Sequence, residues 1–123
     1  DRLEGAAPGS SLYLIEPVDY LSMVWLLTRS FFVLTDSGGL QEEGPSLGKP
    51  VLVLREETER AEAIEAGTAR LVGTDRRKIV SSALELLENM ELYGRMAQPK
   101  TVFGDGTAAR QIVAALSQSS IAL

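Results

Sequence analysis

The run Thr35-Asp36-Ser37-Gly38-Gly39-Leu40-Gln41-Glu42-Glu43 joins a turn of small residues to carboxylates a few positions on. It follows the apolar run Phe31-Phe32-Val33-Leu34, which reads as a buried strand, and precedes a short helical stretch closed by Gly48 and Pro50. The first backbone N–H groups of a helix have no acceptor inside it. Ser37, Gly38 and Gly39 would let an anion approach those groups closely, and the helix dipole favours negative charge there. Glu43, four residues past Gly39, is spaced to accept hydrogen bonds from sugar hydroxyls. Together these types point to a phosphorylated, hydroxylated ligand. Read alone, the glycines also fit a plain tight turn and Glu43 a surface helix position. Asp36 shapes the turn through nearby backbone N–H groups rather than acting as an acid.

Composition narrows the chemistry. The 123 residues include no histidine, so the commonest general base and metal ligand is absent. They include no cysteine, which excludes disulfides and thiolate metal sites. A net charge of −5 argues against nucleic acid, whose phosphates demand clustered cations. The one basic run, Arg76-Arg77-Lys78, reads as a solvated helix start. No apolar stretch is long enough for a bilayer, and no segment has the charged-then-apolar pattern of a secretory signal. The expectation is therefore a cytoplasmic protein with no membrane partner. A chain opening at Asp1 rather than Met suggests a fragment or a processed product.

Strands alternating with helices predict a parallel α/β sheet. Residues 1–11 read as a flexible lead-in, and 12–123 as one domain. Leu12-Tyr13-Leu14-Ile15 is a strand candidate stopped by Pro17; Asp19 caps a well-buried helix running to about Arg29. The strand Phe31 to Thr35 is expected to be covered on both faces. A short helix follows Gly39, with Pro45 tolerable only near a first turn or at a kink. Then come the strand Val51 to Leu54, a charged loop from Arg55 to Arg60, helical turns from Ala61 to Ala66 and the strand Ala69 to Val72. A helix capped by Thr74 or Asp75 runs to about Leu87, and a short one spans Glu91 to Ala97. A last helix starts at Thr107, with Ala108, Ile112, Val113 and Leu116 as its apolar stripe. In open parallel sheets, ligands sit beyond the carboxyl ends of the strands. The turns Thr35–Gly39 and Arg55–Arg60 both fall there.

Those residues carry a family resemblance. Leu34 through Glu43, then Pro45-Ser46-Leu47-Gly48-Lys49-Pro50-Val51-Leu52-Val53, resemble the non-hydrolysing UDP-N-acetylglucosamine 2-epimerases. So do Thr58-Glu59-Arg60, Glu65-Ala66-Gly67-Thr68, Leu71-Val72-Gly73-Thr74-Asp75 and Phe103-Gly104-Asp105-Gly106, in that order. The resemblance runs from Ile15 to Leu116. It implies a Rossmann-like parallel sheet with flanking helices, most of the C-terminal half of a GT-B-like two-domain fold. The domain that supplies the family's catalytic carboxylates, and the histidines of its cleft, have no counterpart here. The implied activity interconverts UDP-GlcNAc and UDP-ManNAc by elimination and re-addition of UDP, as a homodimer, with no metal or redox cofactor. By the same resemblance, Ser37, Gly38 and Gly39 form the diphosphate turn, Glu43 holds the ribose and Arg60 reaches the diphosphate or the reacting sugar. Met23 stands where the family often has an aromatic near the uracil. Other departures are Gly44 for Ala, Ala61 for Pro, and Lys100-Thr101-Val102 where Asn-Pro is usual. No catalytic residue is identifiable in the chain. Two alternatives remain open at this stage: the donor domain of a GT-B glycosyltransferase, and an inactive binding or structural remnant.

Overall fold

The computed structural model describes residues 11–118; most of the expected lead-in lies outside them. Helix α1 (Tyr20–Arg29) leads into strand β1 (Val33–Thr35), helix α2 (Gly38–Ser46), strand β2 (Val51–Val53), helix α3 (Ala61–Glu65) and strand β3 (Ala69–Leu71). Helices α4 (Arg76–Glu88), α5 (Met90–Met96) and α6 (Ala108–Gln118) complete the chain order. The strands pair in parallel in the order β1-β2-β3, with Val33 opposite Val51 and Val51 opposite Ala69. Parallel neighbours require a crossover, and α2 and α3 supply the two that this sheet needs.

The central strand explains the layering. Val51, Leu52 and Val53 are all fully buried, and successive side chains of a strand point to opposite faces. Val51 and Val53 join Leu27, Val33, Ala63 and Ala69 in one core cluster. Leu52 joins Val72, Leu86, Leu92 and Met96 in the other. Helices thus cover both faces of β2, which is why its apolar run does not alternate. Helix α2 lies close on β2 because residue 44 is glycine: a Cβ there would stand 2.5 Å from Val51 Cγ2.

Several elements depart from the sequence expectation. Leu12-Tyr13-Leu14-Ile15 is not a strand and lies outside the described three-stranded sheet, and Tyr13 is 82% exposed. β-propensity does not order a segment that has no neighbouring strand to bond. Asp19 does cap α1, accepting from Ser22 N–H at 3.0 Å and from its hydroxyl at 2.8 Å. The helix is not well buried, however: only Leu27 is fully covered, while Leu21 is 79% and Trp25 55% exposed. It is apolar on more than one side, and the sheet covers a single face. Leu34 is likewise exposed, so β1 is covered on one face rather than two. Pro45 sits in the last turn of α2, where the helix stops one residue later and little ladder is lost. The stripe of α6 is solvent-facing, since Ile112, Val113 and Leu116 are all exposed. Arg76-Arg77-Lys78 forms the exposed first turn of α4, capped by Asp75.

Gly48 ends α2 at φ +69°, and a Cβ there would meet Pro99 Cγ at 2.9 Å. Left-handed backbone costs a non-glycine residue roughly 1–2 kcal/mol. Gly48→Ala should therefore lower unfolding stability by at least that amount in urea, with an unchanged m-value.

Candidate functional site

The β1–α2 turn is built as a donor-rich corner. Ser37 is the N-cap of α2: its N–H donates to Thr35 Oγ1 at 3.0 Å, and its Oγ accepts from Leu40 N–H at 3.5 Å. The N–H groups of Gly38 and Gly39 come next and have no acceptor within the helix. A Cβ on Gly39 would meet only Ser37 Oγ, at 3.8 Å. A Cβ on Gly38 would meet the Arg60 guanidinium carbon at 3.3 Å and its terminal nitrogen at 3.4 Å. Arg60 comes from the loop after β2, eighteen positions beyond Glu42 with which it pairs. The sheet therefore brings the two polar turns to the same carboxyl edge, and the missing side chain at Gly38 lets the cation lie against the helix start.

Arg60 is held between carboxylates. Its Nε donates to Glu42 Oε1 at 2.8 Å and a terminal nitrogen to Glu59 Oε1 at 2.6 Å. Glu59 also takes Arg55 at 3.2 Å. The Glu59 carboxyl is held below its ordinary range, first by its own backbone N–H, then by the charges of Arg55 and Arg60. All these groups are partly exposed, so solvent screens each pair and a bound anion can compete for the arginine.

Helical spacing sorts the rest of α2. Residues four apart share a face. Gly38 and Glu42 share the face toward Arg60. Gly39 and Glu43 share the next, and Glu43 lines a cavity of about 320 Å³ with Tyr20, Val24, Glu42, Ser46, Leu47, Phe103 and Gly104. Gln41, Gly44 and Pro45 form the buried face. A second hollow of about 530 Å³ runs along the outer edge of β3, between Ile64, Arg70 and Met96, away from this corner.

The structure thus brings Ser37, Gly38, Gly39 and Arg60 together and places Glu43 one turn along the same helix. Met23 is elsewhere: it is half-buried against the core cluster around Leu27 and Val33, while its neighbours Tyr20 and Val24 face the cavity. Phe103, from the loop before α6, supplies an aromatic on the opposite wall. The fold adds Glu42 and Glu59 as the carboxylates that hold Arg60: Glu42 stands four residues after Gly38, a spacing visible in the sequence, whereas Glu59 is one charge in a mixed loop. Lys100, where the sequence departs from the Asn-Pro pattern, ties the loop leading to Phe103 back to α3 by donating Nζ to Ala66 O at 2.5 Å. Among the described residues no cluster of His, Cys, Asp or Glu could hold a metal ion, and no helix is long and apolar enough to cross a membrane.

A family model described as UDP-N-acetylglucosamine 2-epimerase matches residues 1–117. The chain belongs to the UDP-N-acetylglucosamine 2-epimerase family. It is 51% identical over 113 residues to the UDP-N-acetylglucosamine 2-epimerase of Salmonella typhimurium, a match covering 92% of this chain and 30% of that protein. The crystal structure of the Neisseria meningitidis enzyme bound to UDP-GlcNAc superposes with a TM-score of 0.82 at 50% identity, over 87% of this chain and 29% of that one. The Methanocaldococcus jannaschii enzyme in complex with UDP-GlcNAc and UDP gives a TM-score of 0.71 at 36% identity, over 85% and 27%. The chain therefore spans about 30% of the length of the curated relatives it matches. Its parallel sheet with flanking helices is the Rossmann-like architecture of that part of the family fold.

The Arg60 pairs make a pH prediction. A carboxyl whose folded pKa is depressed adds stability above its unfolded pKa, and that stability disappears as pH falls through the folded value. Arg60→Met should raise the Glu59 titration midpoint followed by carboxyl 13C NMR. An unmoved midpoint would show that the pair exerts no force in solution.

Proposed function

We propose that this chain is the UDP-binding portion of a UDP-N-acetylglucosamine 2-epimerase, an isomerase that interconverts UDP-GlcNAc and UDP-ManNAc by eliminating and re-adding UDP. One observation carries the reading: the Arg60 guanidinium lies against Gly38 at the start of α2, with Glu43 one turn further on. The diphosphate would take the N–H groups of Gly38 and Gly39, the neighbouring Ser37 hydroxyl and the charge of Arg60. A helical turn advances about 5.4 Å, a spacing that lets Glu43 accept from ribose hydroxyls while the diphosphate rests on the helix start. The uracil would pack between Tyr20, Val24 and Phe103, with Met23 supporting that wall from the core side.

The chemistry asked of this corner is electrostatic. Departure of UDP builds negative charge on the diphosphate, and donors already aimed at that charge lower the barrier without reorganising. No histidine is present, and two carboxylates at the corner, Glu42 and Glu59, are paired with Arg60. Proton removal and return at the sugar C2 is therefore assigned to residues outside this chain, within the remaining length of the family fold. The whole enzyme is proposed to be a cytoplasmic homodimer serving cell-surface polysaccharide synthesis, in line with the soluble two-domain architecture that the resemblance implies. A GT-B donor domain would use the same physics, but 51% identity to an epimerase favours isomerisation.

Two outcomes test this reading. UDP titrated into the chain by calorimetry should bind, and Ser37→Leu, which fills the turn and removes the cap, should weaken binding at least tenfold; equal and negligible heats for both would refute the site. A coupled epimer assay on the chain alone should give no turnover, and clear formation of UDP-ManNAc would show that the acid–base groups lie within these 123 residues.

A further inference from the structure

Gln41 carries the buried polar side chain that the diphosphate site, as described, does not use. It lies on the face of α2 that packs into the fold and is 1% exposed. Its Nε2 is buried and has no hydrogen-bond partner, so the amide bears a desolvation penalty that an apolar side chain of the same size would avoid. What it has in return is one directed contact: Thr58 Oγ1 donates to Gln41 Oε1 at 2.5 Å across 17 positions of sequence. The same Thr58 oxygen accepts from Arg60 N–H at 3.1 Å. Gln41 therefore reaches the backbone of Arg60 through a single hydroxyl.

The need for such a contact is local. Arg60 is the N-cap residue of α3 at φ −95° and ψ 55°, and its side chain makes no cap hydrogen bond. The Arg60 side chain therefore does nothing to hold the start of α3. Helix α2 does so twice with consecutive residues: Gln41 holds the main chain through Thr58, and Glu42 holds the side chain at Nε. Because α2 also presents Gly38, the element that carries the turn sets where the cation stands against it.

We propose that the Gln41–Thr58 hydrogen bond is a positioning device that holds Arg60 at the diphosphate turn, so that both residues govern nucleotide diphosphate affinity without touching the ligand. This rests on the diphosphate reading given above. Thr58 is the better handle, since valine keeps its shape and removes both hydrogen bonds.

The test is a set of UDP and uridine titrations on the chain, with thermal melts alongside. Thr58→Val should weaken UDP about tenfold, the scale of one lost charge-assisted hydrogen bond, and leave uridine unchanged. Thr58→Ser should bind UDP within about twofold of wild type. In an Arg60→Met background, Thr58→Val should cause no further loss, because its effect passes through Arg60. Gln41→Leu should weaken UDP as Thr58→Val does while melting no lower than wild type; if it does not fold, the Thr58 series decides. Wild-type UDP affinity in Thr58→Val, equal losses for UDP and uridine, or a further loss without Arg60 would each overturn the device while leaving the site standing. Failure of the wild type to bind UDP would instead overturn the diphosphate reading, and the device with it.

Discussion

The contact that organises this domain is the approach of the Arg60 guanidinium to the backbone of Gly38. It exists because β1 and β2 are parallel neighbours, so that the chain leaves both at the same edge of the sheet. It is close because residue 38 has no side chain. It survives without burial because Glu42 and Glu59 balance the cation at the surface. Remove any of these and the corner remains a helix start, but one without a fixed positive charge beside its free N–H groups.

Helix α2 serves three purposes through three of its faces. One face packs Gly44 and Pro45 onto the sheet. A second carries Gly38 and Glu42 toward Arg60. The third carries Gly39 and Glu43 toward the hollow between α1 and Phe103. The dense Gly-Gly-Leu-Gln-Glu-Glu-Gly-Pro-Ser sequence makes poor helix on propensity alone. Its stability comes from the Ser37 cap and from packing on β2, and the low-propensity residues are the ones that ligand approach and close packing require.

The parts of the fold that local chemistry determines were legible in the sequence. The Asp19 cap, a cap at Thr74 or Asp75, the glycine stop at Gly48 and the strands around Leu34, Leu52 and Arg70 all follow from short-range patterns. What required the three-dimensional arrangement was coverage. Leu21 and Trp25 are apolar, yet they face outward because the sheet covers one side of α1. Leu12 to Ile15 have strand composition, but no strand lies beside them in the described sheet. At the site, motif spacing pointed to Ser37, Gly38, Gly39, Glu43 and Arg60, while the partners that hold Arg60 did not show. Gln41 and Thr58 are 17 positions apart and belong to no local pattern, so only the fold joins them. Met23 packs against the core around Leu27 and Val33, while Tyr20 and Val24 of the same helix line the cavity, a rotation that the sequence pattern does not show.

The central claim is that the unpaired N–H groups at the start of α2 bind the diphosphate. Backbone 1H–15N spectra of the chain during addition of UDP address it residue by residue. The account predicts that the Gly38 and Gly39 amide protons move downfield together, saturably, and with the same affinity as the Arg60 Nε–H. Saturable binding that shifts other amides while leaving Gly38 and Gly39 in place would contradict it.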